Sequence, residues 1–352
     1  MPALGSYGKT NSSIEDYTAW GKPGHLHTGQ SKTHFGDLYK EGSYEPLHNE
    51  LFGSPQWESW LEPSFLQAHA HAKQLPHAQA RAAWNSVLQL ETDGGGPGVY
   101  SFKCFRPEFC QLLLEEIDHA EANSGELLAR PNGMNRFGVV LNQVGLEPAI
   151  TVLQQTYMAP LQASLFGAEG GQPDDHHSFA IRYRADEDVG LDMHHDESDV
   201  TLNVCLGRNF TGSGLTVCGL YGNKDYRRAK HVYMHRPGRA VLHLGRQRHG
   251  ADDLLSGERV NFLLWSTSSS WRATKEYQQL WADHPHEEKP DLICLSYTHD
   301  DDFTKYRAPL AREEAEKRGV IHSTLQALSN STEASEGSGD ECDGGPVCCK
   351  TC

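Results

Sequence analysis

The segment LDMHHDESDV (191–200) places His194, His195 and Asp196 side by side. Imidazole nitrogen and carboxylate oxygen are ligands for first-row divalent metals, so the chemistry such a cluster can do is metal coordination. With 20 histidines in 352 residues, a His-His-Asp run alone carries little weight, because solvated turns produce it by chance. The following residues add weight. VTLNVCLG (200–207) alternates Thr201, Asn203 and Cys205 against Leu202, Val204 and Leu206, the period-two pattern of a half-buried strand. On a strand, residues two apart share a face. His194 and Asp196 then project together while His195 points away, which supplies two of the three ligands of a metal site.

The third ligand must come from far along the chain. LHLGRQRHGADDLLSGERVNFLLW (242–265) offers His243 and His249. Arg259 follows His249 by ten residues and opens a strand on which Arg259, Asn261, Leu263 and Trp265 share a face. A histidine ending one strand, a Gly-containing turn and an arginine on the next strand would set a guanidinium behind the metal. That spacing suits a dicarboxylate whose keto-acid end chelates the metal and whose other end meets the arginine fork in a bidentate pair. Two histidines and one carboxylate on one side of an octahedron are the donor set of non-haem Fe(II) oxygenases. Taken singly, His249 reads as a surface residue and Arg259 as the partner of Glu258 or Asp253. The combination is what points to a site.

The elements that would position these residues change character along the chain. Residues 1 to about 50 lack periodicity and read as extended or disordered. Helical patterns follow in EPSFLQAHAHAKQL (62–75) and PHAQARAAWNSVLQLE (76–91), and DGGGPG (93–98) reads as a linker. Pro107 opens an amphipathic helix with Phe109, Leu113, Ile117 and Ala120 on one stripe. RFGVVL (136–141) reads as a strand, and a further helix runs from about Pro148 to Phe166. From Ser178 the chain turns to short strands separated by Gly-containing turns: SFAIRYR, VTLNVCLG, GLTVCGL, HVYMH, RAVLHL and RVNFLLWS. Such spacing predicts a barrel or sandwich. From Ser329 onward five acids, one lysine and many Ser and Gly predict a disordered tail.

Bulk properties narrow the partners. A net charge of -16 argues against nucleic acid and anionic membrane, which need a basic patch. No apolar run approaches the ~20 residues of a membrane span, and MPALGSYGKTNSS lacks the regions of a secretory signal. We therefore expect an intracellular protein of cytoplasm or nucleus. In that compartment Cys104, Cys110, Cys205, Cys218 and Cys294, set among apolar neighbours, are expected as reduced core residues. Cys342, Cys348, Cys349 and Cys352 in the tail show neither structural-zinc spacing nor an aliphatic prenylation signal.

Residues 178–272, with FAIRY, HHDESDVTLNVCLG, FTGSGL, VLHLGRQRHGA and SGERVNFLLW, resemble the 2-oxoglutarate and Fe(II)-dependent dioxygenases of the prolyl 4-hydroxylase and procollagen-lysine hydroxylase type. ARPNGMNRFGVVLNQVGL (129–146) resembles one branch of them. The resemblance covers about residues 105–272. It implies iron ligands at His194, Asp196 and His249 and a co-substrate arginine at Arg259. Tyr183 and Asn203, on strands beside the ligands, become candidates for holding the co-substrate or an iron ligand, while His243, whose spacing to Arg259 is too long, reads as structural. The one departure is GSG at 212–214, where relatives tend to carry paired glycines.

The implied fold is α+β: a double-stranded β-helix (jelly-roll) core with flanking helices and a disordered C-terminal tail. The implied organisation is an N-terminal extension (1–98), the dioxygenase domain (99–272), a C-terminal extension (273–328) and the acidic tail (329–352). The implied cofactors are Fe(II), 2-oxoglutarate and O2, with ascorbate as reductant. The implied reaction hydroxylates a C–H bond and releases succinate and CO2; peptidyl proline, peptidyl lysine and a small molecule are all open as substrate, and the procollagen-type resemblance favours a protein or peptide side chain. A non-catalytic β-helix scaffold and a cupin-like metalloprotein that does not use 2-oxoglutarate are the rival readings.

Overall fold

A computed structural model of the chain describes residues 37–53, 55–282 and Cys294. The expectations for residues 1–36, for most of 283–328 and for the acidic tail fall outside these residues. Among the described residues no helix is long and apolar enough to cross a membrane.

Among the described residues twelve strands form two antiparallel sheets: β1 (Gln89–Thr92), β2 (Val99–Lys103), β3 (Gly138–Val140), β4 (Asp175–Arg184), β5 (Leu191–His194), β6 (Val200–Gly207), β7 (Phe210–Gly212), β8 (Leu215–Leu220), β9 (His231–Tyr233), β10 (Arg239–Leu244), β11 (Gln247–Ala251) and β12 (Leu254–Thr267). The large sheet runs β1-β2-β10-β6-β12-β4-β3, with β7 on the end of β12, and the small one runs β5-β11-β8-β9. Two such sheets, face to face and flanked by helices, make the expected double-stranded β-helix.

Among the described residues the α-helices longer than four residues are α1 (Pro63–Ala72), α2 (His77–Trp84), α3 (Pro107–Ser124), α4 (Glu147–Val152), α5 (Ala159–Phe166) and α6 (Lys275–Ala282). The first five fall on sequence patterns, and α6 lies where none was expected. A π-helical turn, Leu153–Met158, joins α4 to α5. Pro107 opens α3 as expected, and Phe109, Leu113, Ile117 and Ala120 are all buried on it.

The alternation along β6 has a different meaning from the one expected. All eight residues of β6 are buried, so the strand is not half-exposed. Leu202, Val204 and Leu206 enter the main core between the large sheet and the helices, together with Phe102, Leu242, Phe262 and Leu264. The alternate positions turn toward the small sheet. There Val99 and Val241 meet Leu215, Val217 and Tyr233, and Phe179, Ile181, Tyr183 and Leu263 meet Ala251 and Leu191. The polar residues of β6 thus face a second interior rather than water.

The N-terminal segments are built into the same core. DGGGPG is not a linker. Residues 93–98 turn the hairpin between β1 and β2, whose strands pair Gln89 with Ser101 and Leu90 with Tyr100. The helical pattern expected to reach Glu91 ends at Trp84. Phe65 of α1 stacks on Phe102 at 5.3 Å between centroids, and Leu38 and Tyr44, expected in an unstructured stretch, are buried. Buried Glu116 on α3 holds this stretch by accepting the His48 amide at 2.8 Å and the Tyr44 hydroxyl.

Candidate metal centre and anion subsite

His194 ends β5, and His249 stands directly opposite it on β11. The pairing is irregular beside His249 on both of its ladders. Bulges of this kind re-aim a side chain next to a site. His249 therefore lies within its strand and not at its end, as the spacing had suggested. Asp196 corrects a second expectation. It does not share a strand with His194, because β5 stops there and Asp196 belongs to the turn into β6. The turn is fixed by the backbone: the Asp196 amide donates to the Gly245 carbonyl at 2.8 Å, and the Gly245 amide donates to the Asp199 carbonyl at 2.9 Å.

The histidine tautomers follow from their partners. His194 Nδ1 lies 2.7 Å from the Asp192 carbonyl oxygen, and His249 Nδ1 lies 2.8 Å from that of Gln247. A carbonyl only accepts, so each Nδ1 carries the proton and each Nε2 presents a lone pair. The two Nε2 atoms lie 3.3 and 3.6 Å from Asp196 Oδ1, and the three ligand atoms fall within 4.8 Å of one another. Burial is the main force holding His249 neutral, down to about 3, against the opposing pull of Asp196. Burial alone would raise the Asp196 carboxyl, but His249 and His194 beside it hold it below the usual carboxylate range. Asp196 Oδ2 is occupied by the Thr201 hydroxyl. Acceptors buried face to face repel unless a cation stands between them, so this donor set fits a divalent metal. Backbone carbonyls behind both imidazoles provide the outer support such ligands need.

His243, the other candidate, lies outside this set. Its Nδ1 bonds the Leu244 carbonyl at 2.8 Å, and its ring meets that of His249 at 4.7 Å between centroids. His195 points away from Asp196, as expected, and approaches Tyr226 and Trp281.

Arg259 is 1 % exposed on β12 of the large sheet. Its Nη1 donates to the Ser213 carbonyl at 2.8 Å, and its Cζ stands 4.5 Å from the centre of the Tyr183 ring. Tyr183 is steadied from behind by Asn135, whose Nδ2 lies 3.4 Å from the Tyr183 hydroxyl. Segment 129–146 is thereby tied to the site. Arg182, one residue along and facing the helices, is committed to ion pairs with Asp118, Glu121 and Glu258. Arg259 instead keeps a buried Nε without a partner among the described residues. Asp252, bonded by the Thr216 hydroxyl at 2.6 Å, acts on it through space. Burial, the largest influence on it, pushes the Asp252 carboxyl up to about 7. An incompletely used buried guanidinium fits a carboxylate ligand.

Asn203 accepts from Asn261 Nδ2 at 2.6 Å, and that same nitrogen lies 3.4 Å from His235 Nδ1. Sequence reasoning placed Asn261 on the Arg259 face without giving it a role, and it missed Ser213, His235, Thr201 and Gly245. Of these only Ser213 carried a signal, its departure from paired glycines.

Gly245 yields a prediction. A Cβ there would lie 1.8 Å from the Ser198 carbonyl oxygen, so the Asp196 turn must move to admit one. Gly245→Ala is expected to destabilise the fold by about 1–3 kcal/mol, the usual cost of overpacking, and to weaken metal binding. Paired denaturant and metal titrations will check this, and unchanged metal affinity would contradict the role given to the turn.

Two antiparallel sheets and a His-Asp-His cluster that could hold a metal ion are thus brought together. Residues 41–171 match the OGFOD2-like domain model. The chain is 37% identical over 246 residues to the 2-oxoglutarate and iron-dependent oxygenase domain-containing protein ICU11 of Arabidopsis thaliana, covering 67% of this chain and 59% of that protein. It is also 37% identical over 232 residues to the human 2-oxoglutarate and iron-dependent oxygenase domain-containing protein 2, covering 65% of each. A more distant similarity, 31% over 162 residues, joins it to the human multifunctional procollagen lysine hydroxylase and glycosyltransferase LH3, covering 44% of this chain and 21% of that protein. Over about two thirds of its length the chain is similar to 2-oxoglutarate and iron-dependent oxygenases. It spans about three fifths of the length of the curated relatives it matches.

Proposed function

We propose that the protein is an Fe(II)- and 2-oxoglutarate-dependent dioxygenase that hydroxylates a C–H bond of a protein or peptide side chain, with release of succinate and CO2. The observation that carries this reading is the convergence of His194 Nε2, His249 Nε2 and Asp196 Oδ1 on one point, with the buried, incompletely partnered Arg259 on the facing sheet. Bound iron would supply oxygen activation coupled to decarboxylation of the 2-oxo acid, and ascorbate would serve as reductant.

The chain's own residues do the rest. His194, Asp196 and His249 hold the metal on one side and leave the other side open. Arg259 fixes the far carboxylate of the co-substrate, and Tyr183 holds the guanidinium plane through its ring face. Asn203 works at one remove, by orienting Asn261. A side-chain substrate is supported by the similarity to a procollagen lysine hydroxylase.

The test is succinate formation from 2-oxoglutarate by the Fe(II)-loaded protein, followed by mass spectrometry of a proteome incubated with it under labelled oxygen. A scaffold predicts no succinate. A cupin-like metalloprotein predicts bound metal with no response to 2-oxoglutarate.

A further inference from the structure

Ser213 occupies an uncommon backbone position. Its φ is 57°, in the left-handed region that glycine adopts freely and serine rarely does, and it lies between Gly212 and Gly214. A strained residue that a glycine could replace points toward a use for its side chain. Ser213 is fully buried, its carbonyl accepts from Arg259 Nη1, and its hydroxyl has no partner among the described residues.

His235 presents a second such atom. It is buried, and its Nε2 has no partner among the described residues. The tautomer can be assigned, because Asn261 Nδ2 faces Nδ1 at 3.4 Å. An amide nitrogen only donates, so Nδ1 accepts and Nε2 carries the proton. Burial, with Arg259 adding to it, holds the ring neutral. Asn261 lies two residues from Arg259 on β12 and shares its face. Arg259 Nε, Ser213 Oγ and His235 Nε2 are thus three buried N–H or O–H groups left to donate, Ser213 joined to Arg259 through its carbonyl and His235 joined to the Arg259 strand through Asn261.

We propose that Ser213 Oγ and His235 Nε2 join Arg259 Nε in a three-donor clamp for the far carboxylate of the 2-oxo diacid. This rests on the functional reading above. A carboxylate has two oxygens with about four acceptor sites, enough to take all three donors. The Asn203–Asn261 pair then has a defined purpose, since it keeps the His235 proton on the nitrogen that faces the ligand. Ser213 and His235 are positioning residues that select a diacid over a monoacid.

The experiment uses the full chain loaded with Ni(II) as a redox-inert stand-in, titrated calorimetrically with 2-oxoglutarate and with 2-oxopentanoate. The second ligand has the same chelating end and no far carboxylate. Ser213→Gly is expected to weaken 2-oxoglutarate binding about ten- to hundredfold, the loss of one charge-assisted hydrogen bond. It should leave 2-oxopentanoate unchanged and should not lower thermal stability, because glycine relieves the strained φ. His235→Leu is expected to lose a similar factor, and His235→Gln, which keeps a side-chain N–H, to recover most of it. If His235→Leu fails to fold, Ser213→Gly decides alone. Variants that bind 2-oxoglutarate as tightly as wild type, or that weaken both ligands equally, overturn the clamp. A wild-type protein that binds metal but not 2-oxoglutarate overturns the functional reading itself.

Discussion

Asp196→Ala, His194→Ala and His249→Ala are each expected to abolish Fe(II) binding and turnover. Two remaining protein ligands cannot hold a divalent ion from the weak end of the affinity series. Asp196→Ala should in addition loosen the turn into β6, because Asp196 Oδ2 anchors the Thr201 hydroxyl. His195→Ala is the internal control. His195 neighbours two ligands in sequence but packs against Tyr221 and Trp281, so iron should be retained. Metal content after equilibrium dialysis measures all four. Loss of iron in His195→Ala with retention in His194→Ala would refute the ligand assignment.

Arg259→Ala should separate co-substrate binding from metal binding. If Arg259 clamps a diacid in a buried subsite, truncation leaves that charge without its partner. Such losses run to about 2–5 kcal/mol, or roughly thirty- to several-thousand-fold in affinity. Iron should stay bound, since the three ligands are untouched. Arg259→Lys should fall between, because lysine keeps the charge but loses the planar fork and the broad face that rests on Tyr183. Separate Fe(II) and 2-oxoglutarate titrations decide the matter. Unchanged 2-oxoglutarate affinity would remove the co-substrate role and favour the cupin-like alternative.

The parts of this arrangement legible in the sequence were those written as period and spacing. Pro107 with the stripe Phe109, Leu113 and Ile117 announced α3, and the alternation of residues 200–207 announced β6. His194, Asp196, His249 and Arg259 could be chosen because residue type and interval constrain metal and carboxylate chemistry together. The illegible parts depend on what lies across space. Nothing local tells that DGGGPG turns a hairpin instead of linking two units, because glycines permit both and only the β1–β2 ladder decides. Alternation cannot distinguish water from a second sheet, so β6 read as half-exposed when both of its faces are covered. Asp196 reached its position by a turn anchored on Gly245, although a strand-face argument happened to bring it to the same place. Ser213 and His235 are marked only by unused hydrogen-bonding capacity, a property of the folded interior.

The two ends of the site stand on different sheets. His194 and His249 belong to the small sheet, and Arg259 and Tyr183 belong to the large one. The separation between them is set by the apolar layer where Ile181 and Leu263 meet Ala251 and Leu191. Under the proposed function the two sheets would act as the jaws of a caliper whose stop is hydrocarbon packing. The length of diacid accepted would then be set by side chains that touch neither carboxylate, and repacking that layer would reset the gauge with both polar jaws intact.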